Sequence, residues 1–290
     1  MNLALELQNV TKRYDGFTLD NINLTLPTGS IMGFVGENGA GKSTTIKLIL
    51  DLIRKDQGTI NIFQNDYHTL PLNRKEDIGV VMDDSCFPEV LNAIQIGKLS
   101  SKLYQHWDKN AYQNYLIKFQ LPEKKALKEY SKGMKMKLNI ACALSHNAKL
   151  LILDEATSGL DPVVRDEILE VFLDFIQDET HSILMSSHIT SDLEKICDYI
   201  TLIHKGKIVF TKEKDELKED YGIVKCSESN LKNLPSKAVV SYRINQFGAE
   251  VLVKKQYLTG HHLIDPASIE EIMLFYIRGK RQNEFQEVKK

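Results

Sequence analysis

Short apolar runs, each ending in a glycine or in polar side chains, recur along the chain as far as about residue 212. Runs that are apolar at every position favour a parallel sheet, because both faces of its strands are buried. Segments with helical spacing separate several of these runs. The pattern therefore predicts an α/β fold. The predicted strands cover residues 3–10, 17–26, 31–35, 59–63, 78–82, 149–153, 182–188, 199–203 and 207–210.

A different pattern fills residues from about 85 to 146, where apolar positions follow helical spacing and Pro88 and Pro122 interrupt them. Two or three helices are indicated, and a further helix is expected to open at about Ser131. We interpret this stretch as a helical subdomain inserted between strands of the sheet. Further helices are predicted over residues 164–175 and 191–197.

The composition becomes charged after about residue 212, and two alternating segments follow at 238–242 and 249–253. A last helix is expected to begin at Asp265 and Pro266, which suit the N-cap and first helical positions. We therefore predict a main domain over residues 1–214 and a small appended α+β unit over residues 215–290. No residue pattern in the second unit indicates chemistry.

The composition excludes several classes of protein. Of the 290 residues, 42% are hydrophobic and 26% charged, and the net charge of −2 gives no sign of a nucleic-acid or anionic-membrane partner. No run approaches the roughly 18 apolar residues of a membrane span, and no signal peptide is recognisable, so we expect a cytosolic protein. The cysteines are far apart without a C-x-x-C pair, which favours buried free thiols. They are Cys86, Cys142, Cys197 and Cys226.

The most informative stretch is the glycine-rich loop 36–44, which follows the run 31–35 and leads into a helical segment. Strand, loop and helix in this order are the context in which G-x-x-x-x-G-K-[ST] binds phosphate. Glycines permit close backbone approach, and amides at a helix N-terminus attract an anion. Lys42 is expected to reach the β- and γ-phosphates, and the Ser43 hydroxyl to ligate Mg²⁺. The predicted nucleotide-binding residues are Gly36, Asn38, Gly39, Gly41, Lys42, Ser43 and Thr44.

Two carboxylates, Asp154 and Glu155, end a buried apolar strand. In a phosphate-loop enzyme, the strand-end aspartate holds Mg²⁺ directly or through water. The adjacent glutamate is placed to accept a proton from the attacking water. His188, at the tip of another predicted strand, is a candidate donor to the γ-phosphate; a purely structural histidine is the alternative.

These motifs together resemble the ATPase subunit of an ABC transporter over about residues 3–212. The resemblance rests on the loop 36–44, on the run 154–162 (Asp-Glu-Ala-Thr-Ser-Gly-Leu-Asp-Pro), and on His188 at the family's switch position. Residues 130–134, Tyr-Ser-Lys-Gly-Met, stand where the family has Leu-Ser-Gly-Gly-Gln. Tyr14 takes the place of the aromatic side chain that stacks on adenine.

The resemblance implies a mechanism and partners. Two such ATPase domains, identical or different, would dimerise head to tail, and each ATP would bind between the phosphate loop of one copy and Ser131 and Gly133 of the other. Closure on ATP and opening after hydrolysis would drive a separate multi-span permease, which would hold the ATPase at the inner face of the cell membrane. Ser131 also suits a plain helix N-cap.

Two departures from the family pattern stand out. Lys132 and Met134 replace the usual glycine and glutamine of the signature, and Asp83 stands where the family has the glutamine of its Q-loop. A carboxylate at that position is still able to ligate Mg²⁺, directly or through water. These features resemble bacterial exporters of the drug- and peptide-resistance type, with a drug, peptide or lipid-like cargo.

Two other functions are disfavoured. A soluble ABC ATPase acting on ribosomes would resemble two tandem copies in one chain, but this chain has one phosphate loop. A member acting on DNA would carry a long coiled coil between Lys42 and Asp154, but the interval between these residues is short. The net charge also disfavours a binder of nucleic-acid phosphates. A nucleotide-binding regulator without turnover is disfavoured by the presence of Glu155 and His188.

Overall fold

The structure, a computed structural model, describes residues 2–83 and 87–280. The chain forms two compact units, Met1–Thr211 and Lys212–Lys290, which we describe separately.

The first unit contains ten strands and seven α-helices among the residues that are described. The strands are β1 (Leu3–Tyr14), β2 (Phe17–Pro27), β3 (Ile31–Val35), β4 (Gln57–Ile62), β5 (Asn65–Asp66), β6 (Ile78–Val81), β7 (Leu150–Asp154), β8 (Ser182–Ser187), β9 (Tyr199–His204) and β10 (Lys207–Glu213). The helices are α1 (Lys42–Ile49), α2 (Leu72–Lys75), α3 (Ala93–Leu103), α4 (Lys109–Lys118), α5 (Lys132–Leu144), α6 (Pro162–Phe175) and α7 (Thr190–Ile196).

A mostly parallel sheet of six strands organises this unit, in the strand order β10-β9-β3-β8-β7-β6, with β10 joined to β9 as a hairpin. β3 pairs in parallel with β8 and β9, and β7 pairs in parallel with β6 and β8. Every residue of β3, β7 and β8 is buried, which explains the unbroken apolar runs in β3 and β7. The predicted α/β fold is confirmed. Because parallel strands end at the same edge, the residues that follow β3, β7 and β8 are brought to one side of the sheet.

An antiparallel sheet of β2, β1, β4 and β5, in that order, accompanies the parallel one. β1 is longer than predicted, because Lys12 and Tyr14 pair with Leu19 and Phe17 of β2 rather than forming a turn. Apolar residues of both sheets and of α1 form one core cluster. Each fully buried Leu or Ile side chain in such a core contributes about 1.5–3 kcal/mol of transfer free energy.

The predicted helical stretch contains α3, α4 and α5, and each begins at a residue whose side chain caps it. Asn92 forms a reciprocal capping box with Gln95, and Asp108 and Ser131 accept hydrogen bonds from first-turn amides. At the end of this stretch His146 is buried, with its ring stacked 4.1 Å from that of Tyr104.

As far as residue 280, the second unit is an antiparallel sheet in the order β12-β13-β11-β14 with three α-helices. Its core contains Val224, Tyr242 and Val251. The elements are α8 (Lys214–Asp220), β11 (Tyr221–Cys226), α9 (Glu228–Leu231), β12 (Val239–Asn245), β13 (Gly248–Lys254), β14 (Ile264–Pro266) and α10 (Ile269–Arg278).

The prediction that the last helix begins at Asp265 and Pro266 is wrong. These residues belong to β14 and pair with Ile223 and Gly222 of β11. Helix α10 is capped instead by Ser268, whose hydroxyl accepts a hydrogen bond from the Glu271 amide while the Glu271 carboxylate accepts one from the Ser268 amide. This capping box satisfies two amide donors, whereas Asp265 is already engaged in a strand.

Three of the four cysteines are free thiols, as the sequence predicted; Cys86 lies outside the described residues. Cys142 and Cys197 are buried, Cys226 is half-buried, and burial raises the pKa of the Cys142 thiol to about 12. Within residues 2–83 and 87–280, no three His, Cys, Asp or Glu side chains are grouped as metal ligands. No helix in the same ranges combines the length and the apolar character that crossing a bilayer requires.

Candidate nucleotide-binding and catalytic site

The phosphate loop joins β3 to α1, and its backbone explains two of its glycines. A Cβ at Gly36 would lie 2.4 Å from the carbonyl oxygen of Ile203 in β9, a distance that no side chain tolerates. Gly41 has φ +117° in the left-handed region and immediately precedes α1. No side chain caps this helix, so its first-turn amides are available to an anion.

Lys42, the first residue of α1, is 6% exposed and points back into the loop. Its ammonium donates a hydrogen bond to the carbonyl oxygen of Gly36 at 2.7 Å and lies 3.5 Å from Glu155 Oε1. A buried ammonium held by a carbonyl and a carboxylate is a strong partner for phosphate oxygens.

The end of β7 is fixed by one serine of β8. Ser186 Oγ donates to Asp154 Oδ1 at 2.5 Å and accepts a hydrogen bond from the amide of Glu155 at 3.1 Å. Asp154 is buried, and Glu155 is half-buried beside it. A single hydroxyl therefore sets the directions of both carboxylate-bearing residues.

Glu155 has φ +54°, a left-handed conformation that a non-glycine residue rarely adopts. Such a conformation costs on the order of 1–3 kcal/mol and persists where its surroundings enforce it, often at functional sites. Here the Glu155 amide donates to the carbonyl and the hydroxyl oxygens of Ser186. The turn directs the Glu155 side chain toward Lys42 and His188.

His188 follows β8 and holds the second oxygen of that carboxylate. Its Nδ1 lies 2.6 Å from Glu155 Oε2, and the ring is 52% exposed. A carboxylate only accepts, so Nδ1 carries the proton of this hydrogen bond. To donate from Nε2 to a phosphate as well, the ring must be the imidazolium.

Three ionisable residues predicted to belong to the site, Lys42, Glu155 and His188, therefore meet in one chain of contacts. They come from the loops after β3, β7 and β8. The arrangement places a cation, a carboxylate base and a histidine donor at the carboxyl edge of a parallel sheet, where ligands bind in open α/β folds.

The other residues predicted to bind nucleotide differ in their exposure to solvent. Asn38, Gly39 and Ser43 are exposed, and Thr44 is half-buried. Tyr14 is exposed at the end of β1, and the Lys12 ammonium lies 5.5 Å from its ring centroid. No contact between the Tyr14 ring and the phosphate loop is recorded among the described residues.

Asp83 and the signature residues form a separate group. Asp83 Oδ1 lies 3.0 Å from the ammonium of Lys132, and both side chains are exposed. Ser131 is the N-cap of α5 and accepts a hydrogen bond from the Met134 amide, while Gly133 is half-buried. Within one chain the structure places Asp83 against Lys132, and no contact of Ser131 or Gly133 with Lys42 is recorded among the residues described.

Sequence reasoning missed Ser186 as a residue of the site. The available signal was that the buried run 182–188 ends in polar residues rather than apolar ones. A serine hydroxyl inside a fully buried strand needs a hydrogen-bond partner, and a neighbouring parallel strand that ends in carboxylates supplies one.

Fold and site together define an ATPase with a phosphate-binding loop. The chain belongs to the ABC transporter family: the family model described as "ABC transporter" matches residues 19–158, and relatives match over a greater length. The chain is an ATP-binding, ATP-hydrolysing member, so the family and the enzyme class predicted from the sequence are confirmed.

Two relatives and one solved structure illustrate the similarity. The bacitracin transport ATP-binding protein BcrA of Bacillus licheniformis is 35% identical over 76% of this chain and 72% of that protein. The lantibiotic transport ATP-binding protein SrtF of Streptococcus pyogenes is 34% identical over 73% of this chain and 91% of that protein. The structure of an ATP-binding subunit of an ABC transporter superposes with a TM-score of 0.68 at 26% identity, covering 74% of this chain and 92% of the other.

Proposed function

We propose that this chain hydrolyses ATP to drive a separate multi-span permease that exports a drug, peptide or lipid-like substrate. The observation that carries the catalytic part is the chain of contacts from Lys42 through Glu155 to His188. The export assignment is supported by the transport of bacitracin and lantibiotics named for two relatives.

In the proposed reaction Glu155 is the general base. Its carboxylate accepts a proton from water as the water oxygen bonds to the γ-phosphorus, and the bond from that phosphorus to the β,γ-bridging oxygen breaks. ADP leaves with the electron pair of the broken bond. His188 holds Glu155 Oε2 by its 2.6 Å hydrogen bond and so fixes the orientation of the base.

Lys42 has two roles in this scheme. Without nucleotide its charge is shared between the Gly36 carbonyl and Glu155. When phosphate oxygens arrive, the ammonium turns to them, and Glu155 is released for water. The uncapped amides at the start of α1 bind the same phosphates.

The residues present fit Mg²⁺, because the Ser43 hydroxyl and the Asp154 carboxylate are the oxygen ligands that this ion prefers. Bound there with the nucleotide, Mg²⁺ would neutralise charge on the β- and γ-phosphates. Asp83, the third predicted ligand, would first have to leave Lys132.

The functional unit we propose is a dimer of nucleotide-binding chains, identical or different. Ser131 and Gly133 of one copy would contact the γ-phosphate bound to the other, and Tyr14 would stack on adenine. We further propose an ATPase domain over residues 1–214 with a helical subdomain at about 85–146, and an accessory domain over 215–290. We propose no nucleic-acid partner for this function. The protein would lie in the cytoplasm at the inner face of the membrane, held there by its permease.

The test is a pull-down of the tagged full-length protein from detergent-solubilised host membranes, with the tag alone as control. We expect a multi-span protein to co-purify in stoichiometric amount. Ribosomal proteins or DNA in its place would overturn the transport function in favour of a soluble ATPase, while the assignments of Lys42 and Glu155 would stand.

A further inference from the structure

Three polar residues in the segments that follow Glu155 and His188 have no role in the proposed mechanism. They are Thr157, two residues after Glu155; Arg165, half-buried on α6; and Asp192, on α7 four residues after His188. Thr157 is 0% exposed and Asp192 2% exposed. Arg165 Nε lies 3.2 Å from Asp192 Oδ1.

The second carboxylate oxygen of Asp192 and the hydroxyl of Thr157 are both unsatisfied. Neither Asp192 Oδ2 nor Thr157 Oγ1 has a hydrogen bond of ordinary length. The two groups nevertheless interact: burial raises the pKa of Asp192, and the Thr157 hydroxyl and Arg165 oppose that rise. A buried polar group left without a partner costs about 1–3 kcal/mol. An unpaired donor so close to an unpaired acceptor needs only a small shift to form a bond.

A hydrogen bond between Thr157 and Asp192 would affect the site because of where these two residues lie. Thr157 lies in the turn that follows Glu155, where the Ser158 amide donates to the Glu155 carbonyl. Asp192 lies in the first turn of the helix that follows His188. The only recorded side-chain contact between Glu155 and His188 within the described ranges is one hydrogen bond on a half-exposed ring. A buried bond between Thr157 and Asp192 would tie the same two segments together away from solvent.

We propose that Asp192 is a positioning residue for ATP hydrolysis. Held by Arg165, its carboxylate accepts a hydrogen bond from the Thr157 hydroxyl in the state that turns over ATP, and this bond fixes Glu155 relative to His188. The inference rests on the proposed roles of those two residues. A bond formed only in that state raises kcat and leaves ground-state nucleotide binding unchanged.

The test compares variants of the full-length protein by kcat, KM for ATP and Tm. Thr157→Val keeps the shape of the side chain and removes the hydroxyl. Thr157→Ser keeps the hydroxyl and removes the methyl group. In Thr157→Val we expect kcat to fall about tenfold, less than the 10²-fold that a 1 Å misplacement can cost, with KM unchanged. Tm should stay level or rise, because an unsatisfied buried hydroxyl is removed. Thr157→Ser should recover most of the lost kcat.

The same two helices offer a matched control. Asp166 on α6 pairs with Lys195 on α7, both side chains are exposed, and neither is bonded to Thr157 in the described part of the chain. Asp166→Asn breaks this ion pair between α6 and α7, so we expect kcat close to that of the unchanged protein. Asp192→Asn should lower kcat as Thr157→Val does, and the two changes combined should cost less than the product of their separate effects.

Two results would overturn the inference: an unchanged kcat in Thr157→Val, or an equal loss of kcat in Thr157→Val and Thr157→Ser. Glu155→Gln, measured in the same assay, separates this failure from failure of the proposed site. If Glu155→Gln abolishes turnover while Thr157→Val does not reduce it, only the positioning role of Asp192 is wrong. If Glu155→Gln turns over normally, the catalytic site itself is wrongly assigned.

Discussion

The two compact units both bury an apolar core, but they differ in where their charged side chains find partners. In the unit Lys212–Lys290 the recorded ion pairs and the cap of the last helix are made near in sequence or between paired strands, as in the Ser268–Glu271 cap and the exposed pair Lys225–Asp265 on β11 and β14. In the unit Met1–Thr211, Lys42, Glu155 and His188 come together from three distant loops, and Glu155 adopts a left-handed backbone to do so. Charges that converge at a conformational cost indicate a site, whereas charges that close locally indicate stability.

One residue of the second unit departs from this rule. Arg243 has buried Nε and Nη2 atoms without a hydrogen-bond partner, and its guanidinium lies 4.4 Å from the centroid of the Phe275 ring. The aromatic face offsets part of the cost of burying the charge. This contact belongs to the core of its unit, and among the residues that the structure describes it involves no other charged group.

The comparison is tested most strongly by removing one carboxylate from each unit. Glu155→Gln should lower ATP turnover by about 10²-fold or more, because a general base is lost, while ATP binding survives and an ATP-bound dimer accumulates. Glu271→Gln is the control, since glutamine still closes the capping box. Steady-state hydrolysis and gel filtration with ATP measure both. Equal turnover in the two variants would remove Glu155 from the role of base.

A core substitution in the second unit should lower stability and leave nucleotide binding as it is. Phe275, 1% exposed, packs under Arg243, and Phe275→Ala should destabilise its unit by about 3–5 kcal/mol. Nucleotide affinity should not change. Denaturant unfolding followed by circular dichroism gives the stability, and Phe247→Ala, at an 88% exposed side chain, is the control. A parallel loss of nucleotide affinity would show that the two units are not independent.

Lys42→Ala should weaken nucleotide binding itself. Losing one hydrogen bond to a charged group, worth about 1.5–3 kcal/mol, corresponds to a rise in Kd of roughly 10- to 100-fold. Lys225→Ala removes an exposed lysine of the second unit and should leave Kd unchanged. Titration calorimetry with ATP measures both. Tight binding by Lys42→Ala would count against the phosphate loop as the binding site.

The smallest expected effect is a pH dependence of folding stability that arises in the first unit. Burial lowers the pKa of His146, whose Nδ1 lies 3.0 Å from the carbonyl oxygen of Glu76. The folded ring stays neutral while the unfolded chain binds protons below about pH 6.5, so the stability of the folded state is complete above that pH and falls as the pH drops toward the folded pKa.

His146→Gln should reduce this acid-side loss, since glutamine donates to the Glu76 carbonyl without titrating. Urea unfolding at neutral and at mildly acidic pH measures it, and His106→Gln, at an exposed side chain, is the control. If all three proteins lose stability equally on acidification, His146 is not the source.

Much of the first unit could be predicted from the sequence, because its buried parallel strands leave an unmistakable pattern. Strands such as 31–35 and 150–153 carry no polar side chain, and a glycine-rich loop between a strand and a helix is typical of phosphate-binding sites. The sequence also predicted Lys42, Glu155 and His188 as site residues. Their mutual contacts could not be predicted, because they depend on which strands are neighbours and on the left-handed turn at Glu155.

Other features could not be predicted from the sequence, because they depend on contacts between distant side chains or on competing local caps. The Asp83–Lys132 ion pair joins two exposed, flexible side chains, and the Arg165–Asp192 ion pair depends on how α6 and α7 pack. In the second unit, Asp265 and Pro266 suit a helix start but lie in strand β14. The helix begins after Ser268 instead, because Ser268 and Glu271 form a capping box.

The order of strands in the parallel sheet has a consequence for how the protein is made. β3 has no neighbour in that sheet other than β8 and β9 within the described residues, and both lie far later in the chain. At about 5–20 residues per second, the ribosome takes on the order of ten seconds to reach them after β3 emerges. During that interval an apolar strand with both edges unpaired must be shielded from other chains. Of the strands in this sheet, the one that leads into the phosphate loop therefore waits longest for its partners, and meanwhile exposes two unpaired edges to other chains.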